Sequence, residues 1–395
     1  SNGLEKRPKL RFPGFDEPWE HKELLYYLVE NTDRNKQLKF GKENVLSVSG
    51  EYGIVNQIAF QGRSFAGESV ADYHVVETDD IVYTKSPLKA NPYGIIKVNN
   101  GVPGIVSTLY AVYHPLKTVV PRFVDFYFSN DLRLNKFLKP LVNIGAKHDM
   151  KVNNTFVLTG MVVFPPLREQ QKIVDFLTIL DRRIDVQRKK VEALKKYKRG
   201  VLSVAFGKYG SICSWQTTPY PFAELASRRS EKYDPRSGEQ MPCVELEHIE
   251  QETGRIIGSI PSTQQNSIKG VCKSGDTLFG KLRPYLRKYA FVKKDMVCSS
   301  EIWSLVPSET IIPEYLFYLV QTDEFIKIAN ISSGTKMPRA EWSNIEKSVF
   351  SVPNKEVQAQ IVQTLRGLDS RMLDAIDMLG ELQLMKEGLL QQLFI

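Results

Sequence analysis

Two segments of this chain concentrate side chains that could grip phosphate or read the edges of bases. The first, KLRPYLRKY, carries Lys281, Arg283, Arg287 and Lys288 interleaved with Tyr285 and Tyr289. Not one acidic residue occurs from Thr277 to Lys294. Arginine and lysine bind phosphate oxygens, and both can pair with guanine in the major groove. The composition favours contact with a nucleic acid over its alternative, a solvated loop beside a sheet.

The second segment, KSPLKANPYGIIK, carries Lys85, Lys89, Asn91, Tyr93 and Lys97, and asparagine can read adenine with two hydrogen bonds. A further pair of loops, GAKHDMK and GTKMPR, supplies Lys147 and His148, and Lys336 and Arg339. The stretch VNQIAFQGRSFAG offers Asn56, Gln57 and Arg63, for which structural and base-reading roles have equal weight. These residues form the candidate binding set.

Two segments resemble motifs of phosphate binding or catalysis, but each lacks a residue that its motif requires. GDTLFGKL, residues 275–282, imitates a phosphate-binding loop, but Leu282 stands where a Ser or Thr must reach Mg²⁺. NPYG, residues 91–94, is more simply a turn than a methyltransferase tetrapeptide. Cys213, Cys243, Cys272 and Cys298 lie 30, 29 and 26 residues apart, which matches no paired-ligand metal spacing. The sequence therefore predicts a binding protein that has no catalytic residues, metal or cofactor of its own.

Composition limits the class of protein further. The 395 residues suffice for two or three domains, and the net charge of +8 with a pI near 9.0 fits a polyanionic partner. No run of 18 apolar residues occurs, and the cysteines are few, so we expect a cytoplasmic protein with reduced thiols and no membrane contact.

The elements that must position the binding loops begin with one long helix. From Pro165 to Phe206, apolar residues recur in a heptad seam: Ile173, Leu177, Leu180, Ile184, Val191 and Leu194. Gln187 and Lys198 fill two seam positions with polar side chains. About 37 helical residues at ~1.5 Å each would make a rod of roughly 55 Å.

A second copy of this stretch lies 188 residues further on. Residues 165–206 align with 353–394 without a gap, and 13 of 42 positions are identical. The seam recurs as Ile361, Leu365, Leu368, Met372, Leu379 and Leu382. Residues 166–206 contain 11 Lys/Arg and 5 Asp/Glu, whereas 353–395 contain 4 and 6. Opposite charge beside the seam favours pairing of the two helices with each other.

The regions before the helices repeat as well. DDIVYTK and GDTLFGK, and NIGAKHDMKV and SSGTKMPRAEW, occupy equivalent places. Each repeat is predicted to be a β-rich domain followed by a long helix, which gives an α+β protein. The predicted boundaries are 1–164 and 208–352 for two recognition domains, and 165–207 and 353–395 for the helices.

These features together resemble the specificity subunit of a type I restriction-modification enzyme. The resemblance rests on PPLREQQKIVDFL with its lysine-rich helix, the second helical copy, RFPGFDEPWE, GDTLFGKLRPYLRK and SGTKMPRAEW. The second copy departs from the pattern, with PNKEVQAQIV in place of PPLREQQKIV.

The resemblance implies a fold in which two target-recognition domains, related by a pseudo-two-fold axis, are joined by the two helices packed as an antiparallel coiled coil. It implies that each domain reads one half of a split, asymmetric site in double-stranded DNA. It also implies assembly with two methyltransferase subunits and with endonuclease and translocase subunits, which carry the S-adenosylmethionine, ATP and Mg²⁺. The alternative is a protein-binding scaffold with duplicated domains.

Overall fold

The structure is a computed structural model that describes residues 8–144, 150–207, 215–237, 239–331 and 337–394. The chain divides into two compact units: unit 1 comprises Ser1–Asp185 and Gly380–Ile395, and unit 2 comprises Val186–Leu379. Within the described ranges, every helix is too short or too polar to cross a bilayer.

Unit 1 is built mainly of short strands. These are β1 (Glu20–Glu23), β2 (Leu28–Glu30), β3 (Leu46–Ser49), β4 (Gly53–Asn56), β5 (His74–Val76), β6 (Ile81–Thr84), β7 (Ile96–Val98), β8 (Gly104–Val106), β9 (Tyr110–Pro115), β10 (Asn143–Ile144), β11 (Met150–Lys151) and β12 (Met161–Phe164). Its helices are α1 (Gln57–Gln61), α2 (Pro121–Phe128), α3 (Asp131–Leu138) and α4 (Asn154–Val157), followed by α5 (Leu167–Phe206).

The strands of unit 2 are β13 (Thr217–Pro221), β14 (Ala226–Arg228), β15 (Lys232–Tyr233), β16 (Pro242–Val244), β17 (Ile260–Pro261), β18 (Lys269–Cys272), β19 (Thr277–Gly280), β20 (Tyr289–Phe291), β21 (Met296–Cys298), β22 (Ile302–Pro307) and β23 (Val349–Pro353). Its helices are α6 (Phe222–Leu225), α7 (Pro313–Leu319), α8 (Asp323–Ala329) and α9 (Trp342–Glu346), followed by α10 (Lys355–Gln392).

The duplication extends to sheet topology. Unit 1 contains a four-stranded sheet ordered β2-β9-β6-β7, and unit 2 contains one ordered β14-β22-β19-β20. In both, the neighbouring strands are antiparallel. The strand before each long helix also pairs with the first strand of its repeat, as β1 with β12 and β13 with β23. The mixed helix and sheet fold predicted from the sequence is confirmed.

In each unit, two short helices follow one another directly, α2 and α3 in unit 1 and α7 and α8 in unit 2. Asn130 is in an extended conformation, and its side chain accepts a hydrogen bond from the backbone N of Arg133, so α3 starts anew after α2. Thr322 does the same for α8 by accepting from the backbone N of Phe325. Asparagine and threonine are favoured at this position because their oxygens satisfy an otherwise free helix N–H.

Each long helix contributes to the core of both units. In unit 1, Ile173 and Leu177 of α5 are buried in one apolar cluster with Leu390 and Phe394, from α10 and its C-terminal end. In unit 2, Leu202 of α5 is buried with Ile361 and Leu365 of α10. Because residues from successive turns of both helices are buried in the same clusters as residues of the sheets, the helices are part of each unit's core and not attachments to it.

Candidate nucleic-acid interface

The helix seam is the first element of the site, because it holds the helices that end each repeat. Among the predicted seam residues, those buried are Ile173, Leu177, Leu180, Ile184, Val191, Ile361, Leu365, Met372 and Leu382. Leu194, Leu368 and Leu379 are half-buried. The packing of α5 against α10 is confirmed, and the contacts within each unit run antiparallel.

Polar positions of the seam find partners on the opposite helix. The Nε2 of Gln187 donates to the carbonyl oxygen of Ala375 at 2.7 Å. In unit 2 the Nζ of Lys198 lies 2.6 Å from Asp369, and in unit 1 the Nζ of Lys386 lies 2.6 Å from Asp181. Both ion pairs use residues that are identical in the two copies. Burial lowers the pKa of Lys198, although Asp369 opposes the shift.

A buried glutamine fixes the start of each long helix in the same way. Gln170 donates through Nε2 to the carbonyl of Pro165 at 2.9 Å and accepts from the backbone N of Val120 at 2.9 Å. Gln358 donates to the carbonyl of Pro353 at 2.9 Å and accepts from the N of Ile312 at 2.8 Å. The two glutamines are identical in the repeat alignment, and this identity was the signal in the sequence for a role that is absent from the predicted set.

In unit 2, β19 and β20 deliver the KLRPYLRKY loop. Arg283 and Arg287 have φ of 52° and 51°, on either side of a 3-10 turn at Pro284–Leu286. The backbone N of Arg283 donates to the carbonyl of Pro338 at 2.8 Å, and the backbone N of Ala340 donates to the carbonyl of Lys281 at 2.8 Å. The two predicted loops of this unit are therefore hydrogen-bonded neighbours.

The structure separates the cations of these loops into bound and available ones. Arg287 donates to the carbonyl of Gln321 and to Asp323, and Lys288 donates to the carbonyl of Leu246 at 2.6 Å. Arg339 makes two hydrogen bonds of 3.1 Å to Glu301. Arg283 and Tyr285 are exposed, and Lys281 is half-buried. Within the described part of the chain, Arg283 has no acidic partner.

In unit 1, most polar side chains of the matching segment, KSPLKANPYGIIK, make hydrogen bonds or ion pairs with other parts of the same unit. Lys85 donates to the Oδ1 of Asn154 at 3.3 Å, and burial lowers its pKa. The Nδ2 of Asn91 donates to Asp131 at 2.9 Å, and Lys97 lies 3.6 Å from Asp125. The carbonyl of Tyr93 accepts from Tyr83, whereas Lys89 is exposed.

The side-chain amides of Asn56 and Gln57 make hydrogen bonds that hold the VNQIAFQGRSFAG stretch in place. Asn56 caps α1 by accepting from Ala59 at 3.0 Å and donates to the carbonyl of Glu43 at 2.6 Å. Gln57 donates to Ser47 and accepts from the backbone N of Phe65 at 2.7 Å. Arg63 is exposed, with its guanidinium 4.6 Å from the ring centre of Phe65. Lys147, His148 and Lys336 lie outside the described residues.

One arginine that the sequence analysis missed is held over aromatic rings. The guanidinium of Arg228, at the end of β14, lies 4.9 Å from the ring centre of Trp342 and 5.9 Å from that of Trp303. The run SRRSEK, which contains it, was a signal of local positive charge. Its tryptophan partners come from distant parts of the sequence, so the pairing was not visible there.

Side chains that could hold a metal do not cluster in the described residues. No cluster of three or more metal-ligating side chains is present among them. Cys243, Cys272 and Cys298 are buried free thiols, and burial raises the pKa of Cys243 to about 11. A thiol with this pKa is protonated at neutral pH, and the thiolate is the reactive form.

Comparison with known proteins identifies the class. The sequence profile described as the type I restriction modification DNA specificity domain matches residues 70–196 and 226–377. This chain belongs to that family, which confirms the resemblance inferred from its sequence.

Two curated relatives are specificity subunits. The HindI specificity subunit of Haemophilus influenzae is 31% identical over 134 residues, which cover 32% of this chain and 28% of that protein. The MjaVIII specificity subunit of Methanocaldococcus jannaschii is 24% identical over 276 residues, which cover 62% of this chain and 64% of that protein. The chain thus matches less than two thirds of the length of either relative.

Solved structures share the fold. The S subunit of a type I restriction-modification system from M. genitalium has a TM-score of 0.56 at 13% identity, covering 98% of this chain and 99% of that one. A chain from a structural study of assembly and conformational transition in a type I system has a TM-score of 0.55 at 13% identity, with the same coverage.

Proposed function

We propose that this chain is the sequence-reading subunit of a type I restriction-modification enzyme, and that each unit reads one half of a bipartite, asymmetric site in double-stranded DNA. The observation that carries the proposal is the double match to the DNA specificity domain, once in each half of the chain. Two related but divergent units suit two different half-sites.

In unit 2, Arg283 is the candidate for reading a base. It projects from a loop tip, is exposed, and has a left-handed backbone conformation held by the hydrogen bond to Pro338. A loop that projects from a fixed base can enter the major groove, where arginine pairs with guanine. Arg287 and Lys288 shape the loop through their bonds to carbonyl oxygens.

Replacement of Arg283 tests this role. Arg283→Ala is expected to weaken binding of the cognate site by about 1 to 3 kcal/mol and to relax specificity at one position of one half-site. Arg236→Ala, which removes an exposed arginine of unit 2 that is paired with Asp234, is the control and should leave specificity unchanged. Equal weakening on every sequence would show that Arg283 contacts phosphate instead.

The paired helices are proposed to set the length of the unread spacer. One heptad inserted after Gln187 and one after Ala375, which contact each other, would preserve the seam and add ~10.5 Å to each helix. Methylated sites should then contain a spacer about three base pairs longer, because stacked bases lie ~3.4 Å apart. A single insertion in α5 is the control that breaks the pairing. An unchanged spacer in the double insertion would contradict the proposal.

The remaining roles are assigned to partners. Two methyltransferase subunits dock on the helices, endonuclease and translocase subunits complete the assembly, and the complex acts in the cytoplasm. S-adenosylmethionine, ATP and Mg²⁺ belong to these partners, and this chain contributes no catalytic group.

Binding to DNA separates this function from that of a protein scaffold. Fluorescence anisotropy with a random-sequence duplex should detect binding by the full chain that weakens steeply as salt rises, because bound cations displace condensed counterions. Lack of DNA binding at low salt, in the chain alone and in its complex with the methyltransferase, would favour the scaffold.

A further inference from the structure

A cleft of about 800 Å³ lies in unit 2, where β14 and β22 meet β18 and the ends of β19 and β21. Its lining includes basic side chains from three places in the sequence: Arg228 and Arg229, Lys232, and Lys281. Serine hydroxyls from Ser227, Ser230, Ser299 and Ser300 also contribute to the lining. None of the described residues that form its walls carries a carboxylate.

The two adjacent arginines of the cleft are in opposite states. Arg229 is bound by two hydrogen bonds of 2.7 Å to Asp276, which is buried and also accepts from Ser304. Its charge is therefore compensated inside the protein. Arg228 has no ion pair with any described acidic residue and is exposed. Arg229 therefore stabilises the wall of the cleft, and Arg228 is available to bind a ligand.

Arg228 is nevertheless held in place. Its guanidinium lies over Trp342 at 4.9 Å and near Trp303 at 5.9 Å, and the two rings are T-shaped with their centres 5.6 Å apart. Trp303 is buried. Contact of a guanidinium with aromatic faces leaves its edge N–H groups able to donate, and a planar fork restrained in advance loses less entropy on binding.

The ligand chemistry follows from shape and charge. A guanidinium fork matches the paired oxygens of a phosphate, and lysines and hydroxyls add further donors around it. Base edges lie on the floor of a groove and are reached by projecting elements, whereas phosphates protrude from the duplex and can enter a concavity. A positively charged cleft fits the second geometry.

We propose that this cleft binds a backbone phosphate of the DNA, with Arg228 as the bidentate donor and with Lys281 and Lys232 as flanking cations. The inference rests on the proposed function and deepens it. Arg228 supplies affinity and holds unit 2 in register on the duplex, while the loop that carries Arg283 reads sequence.

The test compares Arg228→Ala and Arg228→Lys with wild type and Arg236→Ala, whose arginine pairs with Asp234 and lies outside the cleft lining, all as full chains in complex with the methyltransferase subunit. Affinity for the methylated motif and for a random-sequence duplex is measured over a range of salt concentrations. For Arg228→Ala the slope of log affinity against log salt should fall by about one, and affinity for both duplexes should fall about tenfold. Arg228→Lys should keep the slope and lose part of the affinity, because it keeps the charge without the fork.

Other results overturn the inference in distinguishable ways. If the wild type binds DNA and the salt slope of Arg228→Ala is unchanged, the proposed phosphate contact is refuted. The proposed function is not affected by that result. Loss restricted to one base pair of the motif makes Arg228 a base reader. If the wild type binds neither duplex, the proposed function and this inference are both refuted. An unchanged midpoint of thermal unfolding, followed by far-ultraviolet circular dichroism, in Arg228→Lys excludes misfolding as the cause of its weaker binding.

Discussion

The ion pair between Lys198 and Asp369 gives the sharpest prediction about how the helices are held together. The side chains of Lys198 and Asp369 are 5% and 14% exposed, and Asp369 also accepts from the hydroxyl of Tyr318 at 2.9 Å. Asp369→Asn keeps an acceptor for Tyr318 but leaves a buried ammonium without its counter-charge. Loss of one partner of a buried pair costs about 3 to 5 kcal/mol, and the slight exposure here favours the lower figure.

The second copy of the pair provides a matched control. Asp181 contacts Lys386 at 2.6 Å and Arg122 at 3.0 Å, and the side chains of both cations are 29% exposed. After Asp181→Asn, water can solvate the cations, so we expect a loss of about 1 kcal/mol. The two substitutions are chemically identical and differ mainly in burial.

Urea unfolding followed by far-ultraviolet circular dichroism suits this comparison, because both units contain helices that contribute to the signal. With a slope of about 2 kcal/mol per molar urea, Asp369→Asn should lower the midpoint by about 1.5 M. The double variant with Lys198→Met should recover part of this loss, because the unpaired charge is gone. Equal effects of Asp369→Asn and Asp181→Asn would refute the argument from burial.

Two further predictions concern unit 1. Burial lowers the pKa of His74 to about 4 from its ordinary 6.5, so the unfolded chain takes up a proton that the folded chain refuses. Stability should therefore fall by roughly 2 to 3 kcal/mol as pH drops from 6.5 to 4. In His74→Gln the midpoint of thermal unfolding should depend less on pH over this range. A pH dependence equal to that of the wild type would contradict the role given to His74. Gly94 has φ of +89°, and an added Cβ would lie 2.0 Å from the carbonyl oxygen of Thr84. Gly94→Ala should cost at least about 2 kcal/mol, whereas Gly101→Ala, whose nearest neighbour is 3.5 Å away, should stay within about 0.5 kcal/mol in the same assay.

The helices and the duplication were predictable because their signals are local and repeated. A heptad seam reports which side chains share one face of a helix, and an ungapped second copy reports the same interface again. The new helices at Asn130 and Thr322 also had a signal, since each capping residue precedes an acidic first turn.

The candidate binding loops were less predictable because the partner of each cation comes from elsewhere in the chain. Arg339 meets Glu301, and Lys97 lies beside Asp125, so these side chains stabilise the fold whatever else they contact. Arg228 presents the reverse case, in which distant tryptophans make an ordinary surface arginine rigid. Such pairings depend on tertiary packing, which residue types and spacing do not encode locally.

Sequencing of methylated adenines tests the central claim most directly. A host without its own type I system would express this chain with its methyltransferase, as wild type and as Arg283→Ala. The account predicts methylation restricted to one bipartite motif with an unread spacer, and relaxation of one position in a single half when Arg283 is replaced. Methylation at a continuous motif, or the same methylation without this chain, would contradict the account.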